Sequence, residues 1–141
     1  MAIDRAHIGY SLPAFSVEAT PERIARFRAA IGDTGGDVRV APPTFMKMVE
    51  GEHNSSRRIL DTLAVDLRRV LHAEQQFDYL GPILAGDQLD VVRKVSDIYE
   101  RKNGLMEFIV IESIISHAER GLLGRSRQVV LVRNPKPAVA A

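Results

Sequence analysis

Ala41-Pro42-Pro43-Thr44-Phe45-Met46-Lys47-Met48-Val49-Glu50-Gly51 decides how the rest of this chain is read. Pro43 suits a first helical turn, where its missing N–H has no intrahelical partner. Phe45, Met48 and Val49 then recur on one side at helical spacing, and Gly51 stops the run. The stretch predicts a buried helix that divides a loop-and-helix front from a strand-rich back. A helix start also leaves backbone N–H groups free, which suits a carbonyl or an oxyanion as readily as a capping side chain. From these residues alone the plain structural helix is the stronger reading.

Upstream, Thr20-Pro21-Glu22 predicts a second helix, with threonine as cap and proline in the first turn. Ile24, Phe27, Ala30 and Ile31 supply its buried stripe, Arg23, Arg26 and Arg28 its solvated side, and Gly32 its end. A short strand is placed at residues 15–18. Gly32-Asp33-Thr34-Gly35-Gly36-Asp37 is a loop, because so many glycines destabilise either regular element.

Downstream, Glu52-His53-Asn54-Ser55-Ser56 reads as an irregular surface segment, and Ser55 or Ser56 caps a helix through Ile59, Leu60 and Leu63. From residue 70 the period changes to two, with strands over 71–79, 88–99, 105–116 and 122–132. His72, Glu74, Gln76 and Asp78 are assigned one face of the first of these. Arg93, Lys94 and Asp97 mark the second as a partly exposed ribbon. Lys102-Asn103-Gly104 is a hairpin signal, since asparagine and glycine tolerate positive φ. Helices followed by an antiparallel meander make an α+β domain, with the 43–50 helix covering the apolar face of the sheet.

The chain of 141 residues fits one domain, placed at residues 1–135, with a disordered tail over 136–141. A formal charge of +1 and dispersed arginines give no sign of a nucleic-acid partner. No apolar run approaches the ~20 residues that span a bilayer, and the first residues lack a secretory-signal pattern. With zero cysteines there is no disulfide, thiolate nucleophile or thiolate metal site, and cytoplasm is the default location. Four scattered histidines predict no metal site. The Gly32–Gly36 run lacks the lysine and the preceding strand of a phosphate loop, and no cofactor is expected.

Three blocks carry a family likeness. Ala41-Pro42-Pro43-Thr44-Phe45, the run from Val70 to Tyr79, and Gly81-Pro82-Ile83-Leu84-Ala85-Gly86-Asp87 resemble the MaoC-like hydratase/dehydratases, in the FAS1-like dehydratase branch. The resemblance continues through Ile98-Tyr99-Glu100-Arg101-Lys102, Met106-Glu107-Phe108 and residues 121–132. It implies a hotdog fold, a long central helix wrapped by a curled antiparallel sheet and paired into a double-hotdog dimer. It also implies (3R)-hydroxyacyl or enoyl thioester substrates on coenzyme A or acyl carrier protein, in fatty acid or polyketide metabolism. A homodimer and a heterodimer with another hotdog subunit both fit.

Active members carry Asp-x-Asn-Pro-x-His just before the central helix. Here Ile31-Gly32-Asp33 matches the lead-in, but Thr34-Gly35-Gly36-Asp37-Val38-Arg39-Val40 then reaches Ala41-Pro42-Pro43 at once. No histidine lies between Gly32 and Pro43, and Asp33 and Asp37 are the acids left to position water. His72 with Glu74 is the other candidate pair, a base and its orienting carboxylate, set against a polar outer strand face. Pro43, Thr44, Phe45, Met48 and His53 are the candidate substrate contacts around the helix, with surface exposure as the plainer account of His53. Three functions remain open: a hydro-lyase subunit, a non-catalytic acyl-binding subunit, and a hotdog thioesterase.

Overall fold

A computed structural model of the chain describes residues 2–136. Of the tail expected over 136–141, Lys136 is described and residues 137–141 lie outside the described residues. The elements are β1 (Phe15–Ala19), α1 (Pro21–Ala30), α2 (Phe45–Gly51), α3 (Ser55–Thr62), β2 (Val70–Tyr79), β3 (Asp87–Arg101), β4 (Met106–His117) and β5 (Gly121–Arg133). The five strands form one antiparallel sheet in the order β1-β3-β4-β5-β2. The helices pack on one face of it, which is the hotdog arrangement expected.

Strand alternation builds that face. Val91, Ile115, Leu89 and Leu123 pack with Phe45, Met46 and Val49 of α2 and Ile24 of α1. Val95, Ile109, Ile111, Val130 and Val132 pack with Ile59, Leu60 and Leu63 around α3. Phe45, Met46 and Val49 are fully buried, each worth roughly 1.5–3 kcal/mol in transfer free energy. The 102–104 hairpin forms as expected, with φ of 53°, 55° and 83° at Lys102, Asn103 and Gly104.

Between the two apolar clusters runs a polar belt. Arg93 is completely buried on β3 and donates to Ser113 Oγ (2.9 Å), Gln128 Oε1 (2.9 Å), the Glu50 carbonyl (3.1 Å), Ser55 Oγ (2.8 Å) and Ser56 Oγ (2.8 Å). The expectation of a partly exposed β3 is therefore wrong at Arg93. The side chain follows the inward alternation of Leu89, Val91 and Val95, and the belt satisfies its donors. Glu50, also fully buried, is 3.3 Å from Lys47 Nζ, and Gln75 donates to Glu50 (3.4 Å) and Ser126 (2.7 Å).

The belt also explains why the central helix is divided rather than long. His53 and Asn54 adopt left-handed φ of 58° and 55° between α2 and α3. Asparagine tolerates this conformation better than most residues. Arg93 binds the Glu50 carbonyl on one side of the break and the Ser55 and Ser56 hydroxyls on the other. His53 Nε2 lies 3.0 Å from the Ser16 carbonyl, which holds the break against β1.

A second correction concerns Arg28, placed on the solvated side of α1 by its spacing. It is 8% exposed, because its guanidinium reaches the Gly35 and Asp37 carbonyls and the Asp33 carboxylate. The glycine-rich loop offers these acceptors, so α1 buries a charge to hold it.

Candidate ligand groove at the start of the central helix

Residues 39–41 are tied to residues 83–85 by Ala41 N–H to the Ile83 carbonyl (2.9 Å) and Ala85 N–H to the Arg39 carbonyl (2.8 Å). This fixes the approach of Pro42 and Pro43 to α2. Phe45 N–H then bonds the Pro42 carbonyl at 2.9 Å, opening the helix. Tyr79, the last residue of β2, donates its phenol to the Pro43 carbonyl. Burial pushes that phenol up to about 12, with the Met46 amide beside it pulling the other way. Tyr79 is thus a protonated donor at neutral pH, set against the first turn of α2.

A groove of about 400 Å³ opens here, lined by Val40, Ala41, Pro43, Tyr79, Leu80, Pro82 and Ile83 among others. Among the described residues the Tyr79 hydroxyl is the only polar side-chain group in its wall, and no carboxylate or imidazole of theirs lines it. The arrangement suits an apolar chain carrying one polarisable oxygen.

The site residues proposed from sequence are dispersed. Pro43 lines the groove. Thr44 precedes α2 and makes no side-chain cap bond. Phe45 points into the core, edge-on to Phe27 with ring centroids 5.5 Å apart. Met48 faces a different hollow beside α1, with Phe27 and Arg23. His53 packs edge-on against Phe15 of β1.

Asp33 pairs with Arg28 at 3.4 Å. Asp37 is clasped by Arg39 through contacts of 3.0 and 2.9 Å, and this guanidinium holds its carboxyl down at about 2. Both acids are thus occupied within the loop.

His72 and Glu74 do not form a dyad. A register shift at Ala73 sets His72 opposite Val130 and Glu74 opposite Val129. Adjacent strand residues point to opposite faces, so the shared face assigned to 72, 74, 76 and 78 is broken by the bulge. His72 Nε2 lies 3.0 Å from the Glu74 carbonyl, while the Glu74 carboxylate lies 3.5 Å from Arg127.

Among the described residues one imidazole does approach a carboxylate, His117 Nε2 to Asp87 at 3.6 Å. Its Nδ1 accepts the Glu119 and Arg120 amides (3.2 and 3.3 Å), and Asp87 also holds Arg120 and the Leu84 N–H. The pair therefore caps the β4–β5 turn. No group of three His, Asp or Glu among the described residues converges on a metal position, and no helix there is long and apolar enough to cross a membrane.

Sequence reasoning missed Tyr79, Leu80 and Ile83 as groove residues. The only signal for Tyr79 was its place at the end of the period-two run, where a strand closes on the helix start.

The family model for the FAS1-like dehydratase domain region matches residues 6–121. This chain belongs to that family. A relative from Thermobifida fusca, a UPF0336 protein, is 30% identical over 154 residues, covering 98% of this chain and 99% of that one. The fold is shared with the HadBC (3R-hydroxyacyl-ACP dehydratase) complex of Mycobacterium tuberculosis, at TM-score 0.69 and 20% identity over 89% of this chain and 96% of that one. It is shared as well with the ChsH1-ChsH2 complex of the same organism, at TM-score 0.66 and 14% identity over 92% and 87%.

Proposed function

We propose that this chain is the thioester-holding subunit of a MaoC-like (3R)-hydroxyacyl/enoyl thioester dehydratase or hydratase. A second hotdog chain, joined along the free edge of β2, supplies the acid and base. The carrying observation is the groove at the start of α2, which offers the Tyr79 donor and an apolar wall but no proton-transfer group. Family membership and the two-chain assemblies among its structural relatives support the same reading. A cytoplasmic location, where acyl-CoA and acyl carrier protein are found, goes with it.

In dehydration a base removes the C2 proton, the C2–C3 double bond forms, and the C3 hydroxyl leaves as water after taking a proton. Charge accumulates on the thioester oxygen as the C2 proton departs, and a fixed donor there lowers the barrier. Tyr79, protonated up to about 12, fills that role by turning its O–H from the Pro43 carbonyl to the thioester oxygen. Hydrolysis would need a carboxylate aimed at water near the same oxygen. Asp33 and Asp37, both held by arginines, give a thioesterase less support.

The test is crotonyl-CoA, with loss of the enoyl absorbance followed beside direct calorimetry. The isolated chain is expected to bind without turnover, and a complex with a catalytic hotdog partner to turn over. Rapid turnover by the isolated chain would remove the partner's role, and absence of binding in every assembly would end the proposal.

A further inference from the structure

The polar belt leaves two oxygens over. Among the described residues, Glu50 Oε2 and Gln75 Oε1 are the buried side-chain atoms with no hydrogen-bond partner. Glu50 is fully buried, and both of its side-chain partners fall on the other oxygen, Oε1: Lys47 Nζ at 3.3 Å and Gln75 Nε2 at 3.4 Å. Gln75 spends both amide hydrogens, one on Glu50 and one on Ser126 Oγ at 2.7 Å. Turning the amide over would set Gln75 Oε1 against the Glu50 carboxylate, so the orientation is fixed by charge. An acceptor buried without a donor gives up its hydration for nothing, and folded proteins rarely leave one so.

Three kinds of donor can meet two such oxygens, and charge decides among them. A proton on Glu50 would cancel the one negative charge that attracts the buried Arg93 guanidinium. All of the Arg93 hydrogen bonds go to neutral oxygens, so that cation would then be buried without a counter-charge. A bound cation would add a third positive charge to Arg93 and Lys47 against a single carboxylate. Nor does any group of three His, Asp or Glu among the described residues gather to hold one. Water is neutral, carries two O–H groups, and is the usual filler of a small polar gap in a protein interior.

We propose a buried water site between α2 and β2, in which one water donates to both Glu50 Oε2 and Gln75 Oε1. It completes the belt. Arg93 ties the end of α2 to β3, Gln75 ties β2 to β5 through Ser126, and the water joins these two halves. Lys47, whose side chain is 36% exposed, leads from the site to solvent. The site requires neither a thioester nor a second chain, so its fate is separate from that of the groove.

A crystal structure of the full chain tests it directly. One water peak is expected at about 2.7–3.0 Å from both oxygens. In solution, magnetisation transfer from a long-lived water to the Gln75 side-chain amide is expected as well. Gln75→Leu removes one of the two acceptors, and the peak is expected to vanish while Arg93 keeps its partners. A peak that survives in that variant would belong to Glu50 alone and would overturn the bridge. The two oxygens in direct contact, with a protonated-carboxyl infrared band that Glu50→Gln removes, would overturn it in favour of a shared proton. A peak ringed by six or more oxygens at about 2.3–2.6 Å would overturn it in favour of a cation. Empty density with no long-lived water signal would overturn it outright.

Discussion

The two ends of helix α2 are treated in opposite ways. Its start is open, bounded by an apolar groove and met by a single phenol, Tyr79. Its end is closed, with Arg93 holding the Glu50 carbonyl and the two serines that begin α3. Nearly all the charge this fold buries beneath the helix is placed at the closed end, away from the groove. The contrast separates two tasks: buried polar groups anchor the divided helix, and the open end is left free to receive a ligand. Buried charge in this molecule marks an anchor rather than a catalytic centre.

The sharpest way to break that contrast is to remove the anchor. Arg93→Met leaves the Gln128 amide oxygen, the Glu50 carbonyl and the Ser55 and Ser113 hydroxyls buried without their donor, and takes away a cation that attracts the Glu50 carboxylate. A loss of about 3–5 kcal/mol is expected, read as a lowered urea midpoint. A midpoint within error of the parent would show that the belt does not hold the helix.

A smaller effect is expected from the open end. A methyl group at Gly124 would meet the Met46 side chain and come within 2.9 Å of the Asp78 carbonyl, and that backbone cannot retreat. Gly124→Ala should cost about 1–3 kcal/mol, seen as a lower Tm, and should weaken crotonyl-CoA binding because Met46 lies in the first turn of α2. Lost stability with binding untouched would detach the groove from that turn.

The smallest change is Tyr79→Phe, at about 1 kcal/mol for one hydrogen bond. It has a pH signature. The folded state raises this phenol from 10.0 to about 12, so its contribution is complete below pH 10 and is lost as pH rises through about 12. The variant should therefore lose less stability over that alkaline window, measured by denaturant titration at each pH. Equal alkaline losses would mean that the phenol is not held as described.

Much of the fold was legible because it rests on local periodicity. The switch at residue 70, the 102–104 hairpin and the Thr20-Pro21 start all reappear within a residue or two in the structure. The errors share one cause. Arg28, Arg93 and the His72–Glu74 pair were judged by residue type and spacing, but a buried arginine needs acceptors from distant segments and a bulge shifts the face of every later residue. The inward place of Arg93 between Val91 and Val95 was the overlooked clue. At the candidate site, Pro43 was named from sequence and Tyr79 was not, because nothing local indicates that residue 79 meets residue 43.

By itself, then, the sequence determined the α+β class, the order of helices and strands, and the likeness to MaoC-like dehydratases, since these follow from patterns carried by neighbouring residues. It also displayed the shortened segment before the helix, where no histidine stands between Gly32 and Pro43. Only the tertiary structure decided what holds the break in the central helix, which acids are already occupied, and which groups meet at the groove. Each of these depends on contacts between residues tens of positions apart, and such contacts exist only once the sheet has closed over α2.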